Sequence, residues 1–103
     1  MRESEIEKIF VWTVVQMGGQ AFKFKSVNCR GVSDQVAMLP DGSTHFVELK
    51  APKGRLSPLQ EIFRDNCTRL NQKYACLYSI EQINNWRNNY EGKVNEQNNF
   101  AGI

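Results

Sequence analysis

Two short apolar runs separated by a tight turn constrain the fold of this chain more than any other feature. The runs are DQVAML (34–39) and THFVELK (44–50), and Pro40-Asp41-Gly42 lies between them. Pro, Asp and Gly favour the backbone angles of a chain reversal, whereas β-branched and aromatic residues favour strands. The pattern therefore predicts an antiparallel β-hairpin.

The second strand of this hairpin carries an acid and a base two residues apart. Successive side chains on a strand point to opposite faces, so Glu48 and Lys50 share one face. Such a strand either lines a wet cleft or lies at an exposed edge. A turn at Asp41-Gly42 pairs residues whose numbers sum to about 83, which brings Asp34 opposite Leu49 and close to both charged residues.

Two carboxylates and an ammonium group are therefore expected to converge at one end of the sheet. Carboxylates that lie close together repel each other unless a cation lies between them. Mg²⁺ and Mn²⁺ prefer oxygen ligands, so the pattern predicts a site for one of them at Asp34 and Glu48. Lys50 would there act on a water molecule or on a phosphate. His45 falls on the opposite face and is expected to be structural.

Hydrophobic periodicity and turn residues divide the rest of the chain into further elements. The predicted order is helix, three strands, helix, strand, helix, over residues 3–17, 21–27, 34–39, 44–50, 57–70, 74–78 and 79–90. This order predicts a single α/β domain with a mixed central β-sheet flanked by helices, over residues 1–90. The polar residues 91–103 have little to bury and are expected to form a tail.

The helix that begins after Ser57 has a clear start signal, with Pro58 at its first position and Gln60 three residues after Ser57. Its predicted buried stripe consists of Leu59, Ile62, Phe63, Cys67 and Leu70. In the first predicted strand, Phe22 and Phe24 are expected in the core rather than as platforms for stacked bases.

Composition and charge favour some classes of protein over others. A chain of 103 residues with 41% hydrophobic residues and no long apolar run suits one small globular domain without membrane contact. Three cysteines without paired spacing, and a first segment unlike a signal peptide, favour a cytoplasmic location. The net charge of +2 and local basic patches are compatible with a polyanionic partner without requiring one.

A longer pattern resembles a known protein family. Its parts are Gly31-Val32-Ser33-Asp34, Glu48-Leu49-Lys50, Ala51-Pro52, Gly54, Arg55-Leu56-Ser57-Pro58 and Gln60. This pattern, within about residues 3–86, resembles the VRR-NUC domain of the PD-(D/E)xK nuclease superfamily, and the small size is similar to stand-alone phage and bacterial members. The resemblance implies a restriction-endonuclease-like fold, similar to archaeal Holliday-junction resolvases, and metal-dependent hydrolysis of DNA in a bacterium or a bacterial host cell.

The resemblance also implies roles for individual residues. Asp34 and Glu48 match the metal-binding acids of the family, and the carbonyl of Leu49 would be a further metal ligand. Lys50 matches the catalytic lysine. Gln60 matches the glutamine that follows the Ser-Pro pair in the family's pattern.

At three positions the match to the family has alternatives or departs from the family's pattern. The family places a glutamate on the first helix, and Glu3 is favoured over Glu5 and Glu7 because its spacing matches the apolar face of that helix. Gln60 has a second possible role as the capping partner of Ser57, and the two roles weigh about equally. The family pattern usually has proline where this chain has serine, immediately before the aspartate.

The expected partner of the domain is DNA, in particular branched DNA. Four basic residues are expected to contact phosphates without reading sequence, namely Lys23, Lys25, Lys53 and Arg55. A four-way junction has two symmetric strands to cut, so a homodimer is expected. Trp12, which falls off the apolar stripe of the first helix, or the C-terminal segment would lie near its interface. The alternatives are a non-catalytic DNA-binding module of the same fold and a nuclease subunit that requires a partner.

Overall fold

The fold consists of three helices and four strands in the predicted order. The computed structural model describes residues 2–24 and 33–101, with side chains as far as Asn95. The elements are α1 (Glu3–Gln16), β1 (Gln20–Lys23), β2 (Gln35–Met38), β3 (Thr44–Leu49), α2 (Pro58–Arg69), β4 (Lys73–Leu77) and α3 (Ile80–Ala101). The predicted α/β class is confirmed.

The four strands form one mixed sheet in the order β1-β2-β3-β4. The pairs β1–β2 and β2–β3 are antiparallel, and β3–β4 is parallel. The hairpin register differs from the prediction by one residue, because Gln35 pairs with Val47 and Met38 with Thr44. Asp34, just before β2, therefore lies opposite Glu48 instead of Leu49.

The shape of the turn explains this shift in register. The N–H of Leu39 donates to the carbonyl of Ser43, so three residues rather than two connect the strands. Gly42 has a φ of +87°, in the left-handed region that glycine enters without a steric penalty. A three-residue turn with glycine in this conformation is a common hairpin connection.

One face of the sheet, which we call the closed face, packs against α1 and α3. It forms the hydrophobic core, whose buried members are Ile6, Phe10, Val14, Ala37, Leu39, Val47, Leu49, Leu77 and Ile83. The ring centroids of Phe10 and Trp86 lie 5.3 Å apart and connect the two helices. The predicted apolar stripe of α1 is confirmed, because its buried residues lie on this face.

The end of α1 also fixes how this helix meets the sheet. Gly18 has a φ of +85°, and the N–H groups of Gly18 and Gly19 donate to the carbonyls of Val15 and Val14. A side-chain carbon at Gly19 would lie 2.5 Å from the carbonyl oxygen of Met38. Glycine at this position therefore allows the chain to pass directly against β2.

The opposite face, which we call the site face, is covered by α2 over β3 and β4. The ring of Phe63 contacts Phe46 and Tyr74, with centroid distances of 5.6 and 6.2 Å. Of the stripe predicted for α2, only Cys67 is fully buried. The prediction was wrong for Leu59, Ile62 and Leu70, which are about half exposed.

The part of the site face formed by β1 and β2 lies beyond α2. Phe22 is 41% exposed and Phe24 is 45% exposed, so the prediction that they are core residues was wrong. Met38, on the same face, is 49% exposed. The reason is that a single helix of 12 residues covers only two of the four strands.

The last helix is longer than predicted. The sequence indicated an end near Tyr90, whereas α3 continues to Ala101. Arg87 and Glu91 form an ion pair of 2.9 Å across the predicted end, at the spacing that stabilises a helix. None of the helices in the described part of the chain is long and apolar enough to cross a bilayer.

Candidate active site

Glu48 is the most unusual residue of the site face. It lies near the end of β3 and is only 2% exposed. Its Oε1 accepts a hydrogen bond of 2.8 Å from Nε2 of Gln60. Its Oε2 is buried and has no hydrogen-bond partner among the residues that the structure describes. Because buried polar atoms are almost always paired, this oxygen needs either a proton shared with the neighbouring Asp34 or a bound cation.

Asp34 stands beside Glu48 at the same end of the sheet. Its Oδ1 accepts a long hydrogen bond of 3.4 Å from the N–H of Leu49. The N–H and C=O of one strand residue point to the same side, so the carbonyl of Leu49 is also directed towards Asp34. The hydroxyl of the buried Ser33 donates to the carbonyl of Gln35 over 3.2 Å, which braces the approach to Asp34 where the family has proline.

The two carboxyl groups influence each other strongly. The pKa of Glu48 is raised to about 9, first by burial and then by a hydrogen bond to Asp34 and the negative charge of Asp34, against an opposing effect of Lys50. Glu48 therefore carries a proton at neutral pH in the protein without a cation. The unpaired buried oxygen and the strained pair of carboxyl groups together fit a divalent cation with oxygen ligands.

The candidate ligands for such an ion are two carboxylates and a backbone carbonyl. No group of three or more His, Cys, Asp or Glu side chains comes together as a metal site within residues 2–24 and 33–101. The candidate ligands are therefore Asp34, Glu48 and the Leu49 carbonyl. An oxygen-only set of this kind suits Mg²⁺ or Mn²⁺ better than a thiophilic ion.

Gln60 fills both roles that its position suggested. Its Oε1 accepts from the N–H of Ser57 over 2.8 Å, and its own N–H donates to the hydroxyl of Ser57 over 3.2 Å. These two bonds form a capping box at the start of α2. The remaining side-chain donor, Nε2, binds Glu48. The cap thus fixes the orientation of a side chain that in turn holds Glu48.

The three glutamates of α1 lie in different surroundings. Glu3 is exposed at the start of the helix, and its negative charge also raises the pKa of Glu48, so it lies near the site. Glu7 instead binds Lys23, at 3.3 Å, and Nε2 of Gln35, at 3.2 Å. Glu5 is exposed. Of the three, Glu3 alone acts on the carboxyl pair.

The basic residues predicted to contact DNA lie in different parts of the fold. Lys53 and Arg55 are exposed in the loop that follows Lys50. Lys23 pairs in register with Gln35 and so belongs to the closed-face side, where Glu7 offsets its charge. Lys25 lies outside the described residues.

The loop that carries these basic residues packs directly against Lys50. The N–H of Gly54 donates to the carbonyl of Ala51 over 2.8 Å. A side-chain carbon at Gly54 would lie 3.1 Å from that carbonyl oxygen and 3.3 Å from Cβ of Lys50. A glycine here therefore permits a tight turn beside the candidate catalytic lysine.

Cys76 is a neighbour of the site that the sequence did not reveal. It pairs with Glu48 in the parallel register of β3 and β4. Burial raises the pKa of its thiol, and Glu48 and Asp34 add to this effect. Only the strand pairing brings this residue to the carboxyl pair, and no local motif signals it.

Comparisons with known proteins agree on one family. The sequence model of the VRR-NUC domain matches residues 13–81, which include Asp34, Glu48, Lys50 and Gln60. A protein of Acyrthosiphon pisum secondary endosymbiont phage 1, named "Putative nuclease p44", is 47% identical over 60 residues. These residues are 58% of this chain and 64% of the phage protein, so the match spans less than two thirds of that relative.

A solved structure described as "VRR_NUC domain" has the same fold. It superposes with a TM-score of 0.77 over 82% of this chain and 94% of its own length. The two sequences are 20% identical. At this identity the similarity concerns the fold, including the mixed four-stranded sheet and the three helices.

Proposed function

Because this chain belongs to the VRR-NUC family, we propose that it is a divalent-metal-dependent endonuclease that hydrolyses phosphodiester bonds of DNA. The nuclease domain of this family implies a divalent metal cofactor and binding to DNA. The observation that carries the proposal is the buried Glu48, whose Oε2 has no partner among the described residues, beside Asp34. Burial of such a pair weakens the metal-free fold, and a bound cation would offset this cost.

We assign the metal, Mg²⁺ or Mn²⁺, to Asp34, Glu48 and the carbonyl of Leu49. The fit rests on the unpaired Oε2 of Glu48 and on the raised pKa of this residue, which a cation would reverse. Bound there, the ion supplies positive charge that stabilises the charge developing on the phosphate during hydrolysis.

The side chains around the carboxyl pair have separate tasks in this proposal. Lys50 shares the site face with Glu48, and its ammonium group donates hydrogen bonds to the attacked phosphate or to the attacking water. Gln60 holds Oε1 of Glu48 and leaves Oε2 free as a ligand. Glu3 adds negative charge at the margin of the site.

DNA would approach from the site face. Lys53 and Arg55 are exposed beside Lys50 and offer two positive charges to the phosphates on either side of the cut. Such contacts position a duplex without reading its sequence. Branched DNA is the substrate that we propose, because the resemblance to this family implies it.

We also propose that the active form is a homodimer. Trp12 is 60% exposed on the outer side of α1, next to the exposed Val11 and Val15. Phe10, another aromatic residue of α1, is fully buried in the core and so offers no surface to an interface. Light scattering across a concentration series tests this proposal. A monomer that still makes paired symmetric cuts in a four-way junction would contradict it.

The nuclease proposal is tested with a panel of four-way junction, flap, nicked and linear DNA in Mg²⁺, Mn²⁺ or chelator. We expect cleavage of branched DNA with either metal, none with chelator, and none with Asp34→Ala. Asp65→Ala is the matched control, because this carboxylate lies on the surface of α2 beside Arg64. Cleavage by Asp34→Ala at the rate of the unmodified protein would contradict the proposed metal site.

A further inference from the structure

A cavity lies at the end of the sheet that is farther from Glu48. It has a volume of about 390 Å³ and opens between α3 and the first residues of β3 and β4. His45 marks its position on β3, three residues before Glu48 and on the opposite face. The volume falls within the range of small-ligand sites. The cavity is thus separate from the candidate active site.

The floor of this cavity is aromatic. The ring centroid of His45 lies 5.7 Å from that of Trp86 and 6.0 Å from that of Tyr90, both in edge-to-face contact. All three residues are half-buried, and Trp86 also packs against Phe10 of the core. The three rings are therefore held by the hydrophobic core and form a preformed apolar surface.

The rim of the cavity carries two lysines and one acidic residue. Lys73 and Lys93 are exposed and form no ion pair within the part of the chain that the structure describes. Asn89 lies beside them on α3. Asp41, the acidic residue of the rim, accepts hydrogen bonds from the N–H and hydroxyl of Ser43. The rim therefore carries two positive charges and one negative charge.

The direction in which the pKa of His45 is shifted reflects the charged groups around it. Burial lowers the pKa of His45, and the ammonium groups of Lys73 and Lys93 lower it as well, against an opposing effect of Asp41. Both ammonium groups therefore act on the ring from nearby. Two positive charges beside an uncharged aromatic floor favour a ligand that combines an anion with a flat ring.

We propose that this cavity binds a nucleotide, with its phosphate at Lys73 and Lys93 and its base against the rings of His45, Trp86 and Tyr90. A purely apolar ligand would leave the lysines unpaired, and inorganic phosphate would leave the aromatic floor uncovered. A free mononucleotide and a nucleotide within single-stranded DNA share this chemistry. Binding requires no divalent ion and is independent of the proposed cleavage.

The chain provides two specific probes for this site. His45 is its only histidine, so its ring resonances in an NMR spectrum are assigned without ambiguity. Trp12→Phe leaves Trp86 as the only tryptophan of the chain. Thymidine 5′-monophosphate, added in chelator, is expected to shift the His45 resonances and to change Trp86 fluorescence, both saturating at the same concentration.

Substitutions distinguish this site from non-specific binding of an anion. Lys73→Glu is expected to weaken the binding of thymidine 5′-monophosphate by about tenfold or more, since it removes a charged donor and repels phosphate. Lys8→Glu is the matched control, because Lys8 is exposed on the outer side of α1, and it is expected to leave binding unchanged. Equal affinity of both variants would overturn the proposal.

Comparison of ligands identifies which parts of the nucleotide are bound. Thymidine and inorganic phosphate are each expected to bind at least about tenfold more weakly than thymidine 5′-monophosphate, since each lacks one half of the recognised chemistry. Inorganic phosphate that binds equally well would overturn the role of the rings. A four-residue oligothymidylate that binds more tightly than the mononucleotide identifies single-stranded DNA as the source, and equal affinity identifies the free nucleotide.

Discussion

The strand β3 serves both faces of the sheet, and the faces use it differently. Val47 and Leu49 are completely buried on the closed face, among apolar side chains of α1, α3 and the neighbouring strands. Glu48 lies between them in sequence and is almost as buried, but it faces Asp34 and Gln60 and leaves one oxygen unpaired. Burial of Val47 and Leu49 therefore stabilises the fold, whereas burial of Glu48 destabilises it.

This difference indicates how a small domain can keep a strained site. The closed face has two helices and the continuous core of buried apolar side chains. The site face has one helix, which covers only part of the sheet and holds Glu48 through Gln60. Strain at a functional site persists only when the surrounding structure determines the conformation.

The largest expected effect compares one apolar residue from each face. Phe10→Ala on α1 removes a fully buried ring from the closed face and is expected to cost about 3–5 kcal/mol of unfolding free energy. Met38→Ala, on the exposed part of the site face, is expected to cost less than about 1 kcal/mol. Urea denaturation in chelator measures both. Similar losses for the two variants would mean that the site face also supports the fold.

The next effect concerns the lysine of the site face. Lys50→Ala is expected to lower kcat by about 10²–10³-fold with little change in KM, because its hydrogen bonds strengthen in the transition state. Arg55→Ala is the comparison, and it is expected to raise KM and to reduce the salt dependence of binding. Steady-state cleavage at two salt concentrations separates the two effects. An unchanged kcat with a raised KM would reduce Lys50 to a phosphate contact.

The smallest expected effect compares the serine caps at the starts of α2 and α3. The hydroxyls of Ser57 and Ser79 each accept a hydrogen bond from the N–H of a glutamine three residues later, and the side-chain oxygen of each glutamine accepts one from a backbone N–H. Ser57→Ala and Ser79→Ala are each expected to cost about 1 kcal/mol.

Only the first of these substitutions is expected to reduce kcat, because Gln60 also holds Glu48. Ser57→Thr should restore it, since threonine also caps helices. Cleavage assays at a temperature where all variants are folded provide the test. Equal kcat values for the two alanine variants would show that the cap has no role in the site.

Much of this arrangement could be predicted from the sequence, because its signals are local. Alternation and turn residues predicted the hairpin, and Ser57 with Pro58 and Gln60 predicted the start of α2. Glu48 and Lys50 were assigned to one face because a strand has a fixed period of two. The register was wrong by one residue, since the lengths of two-residue and three-residue turns differ while their compositions overlap.

The features that could not be predicted depend on contacts between distant elements. The apolar spacing of α2 does not show that the helix covers only two strands, which leaves Ile62 and Leu70 about half exposed. The polar residues after Tyr90 lack an apolar stripe, so nothing in them signalled eleven further helical residues. The cavity at His45 combines residues of β3, β4 and α3, and no motif joins them.

The central claim is that Glu48 is retained for a cation at the expense of the metal-free fold. Its pKa is raised above that of the unfolded chain, so protonation of Glu48 favours the folded state. This contribution is complete below about pH 4 and is lost as the pH rises towards the folded-state value of about 9. A glutamine at this position stays uncharged and avoids the loss.

The most direct measurement is the unfolding free energy of the unmodified protein and of Glu48→Gln, from pH 5 to pH 9, in chelator and in Mn²⁺. We predict that in chelator the variant gains stability relative to the unmodified protein as the pH rises. We further predict that Mn²⁺ stabilises only the unmodified protein, increasingly with pH, because the ion binds the deprotonated carboxylate. A variant that is less stable at every pH, and that Mn²⁺ stabilises equally, would contradict the account.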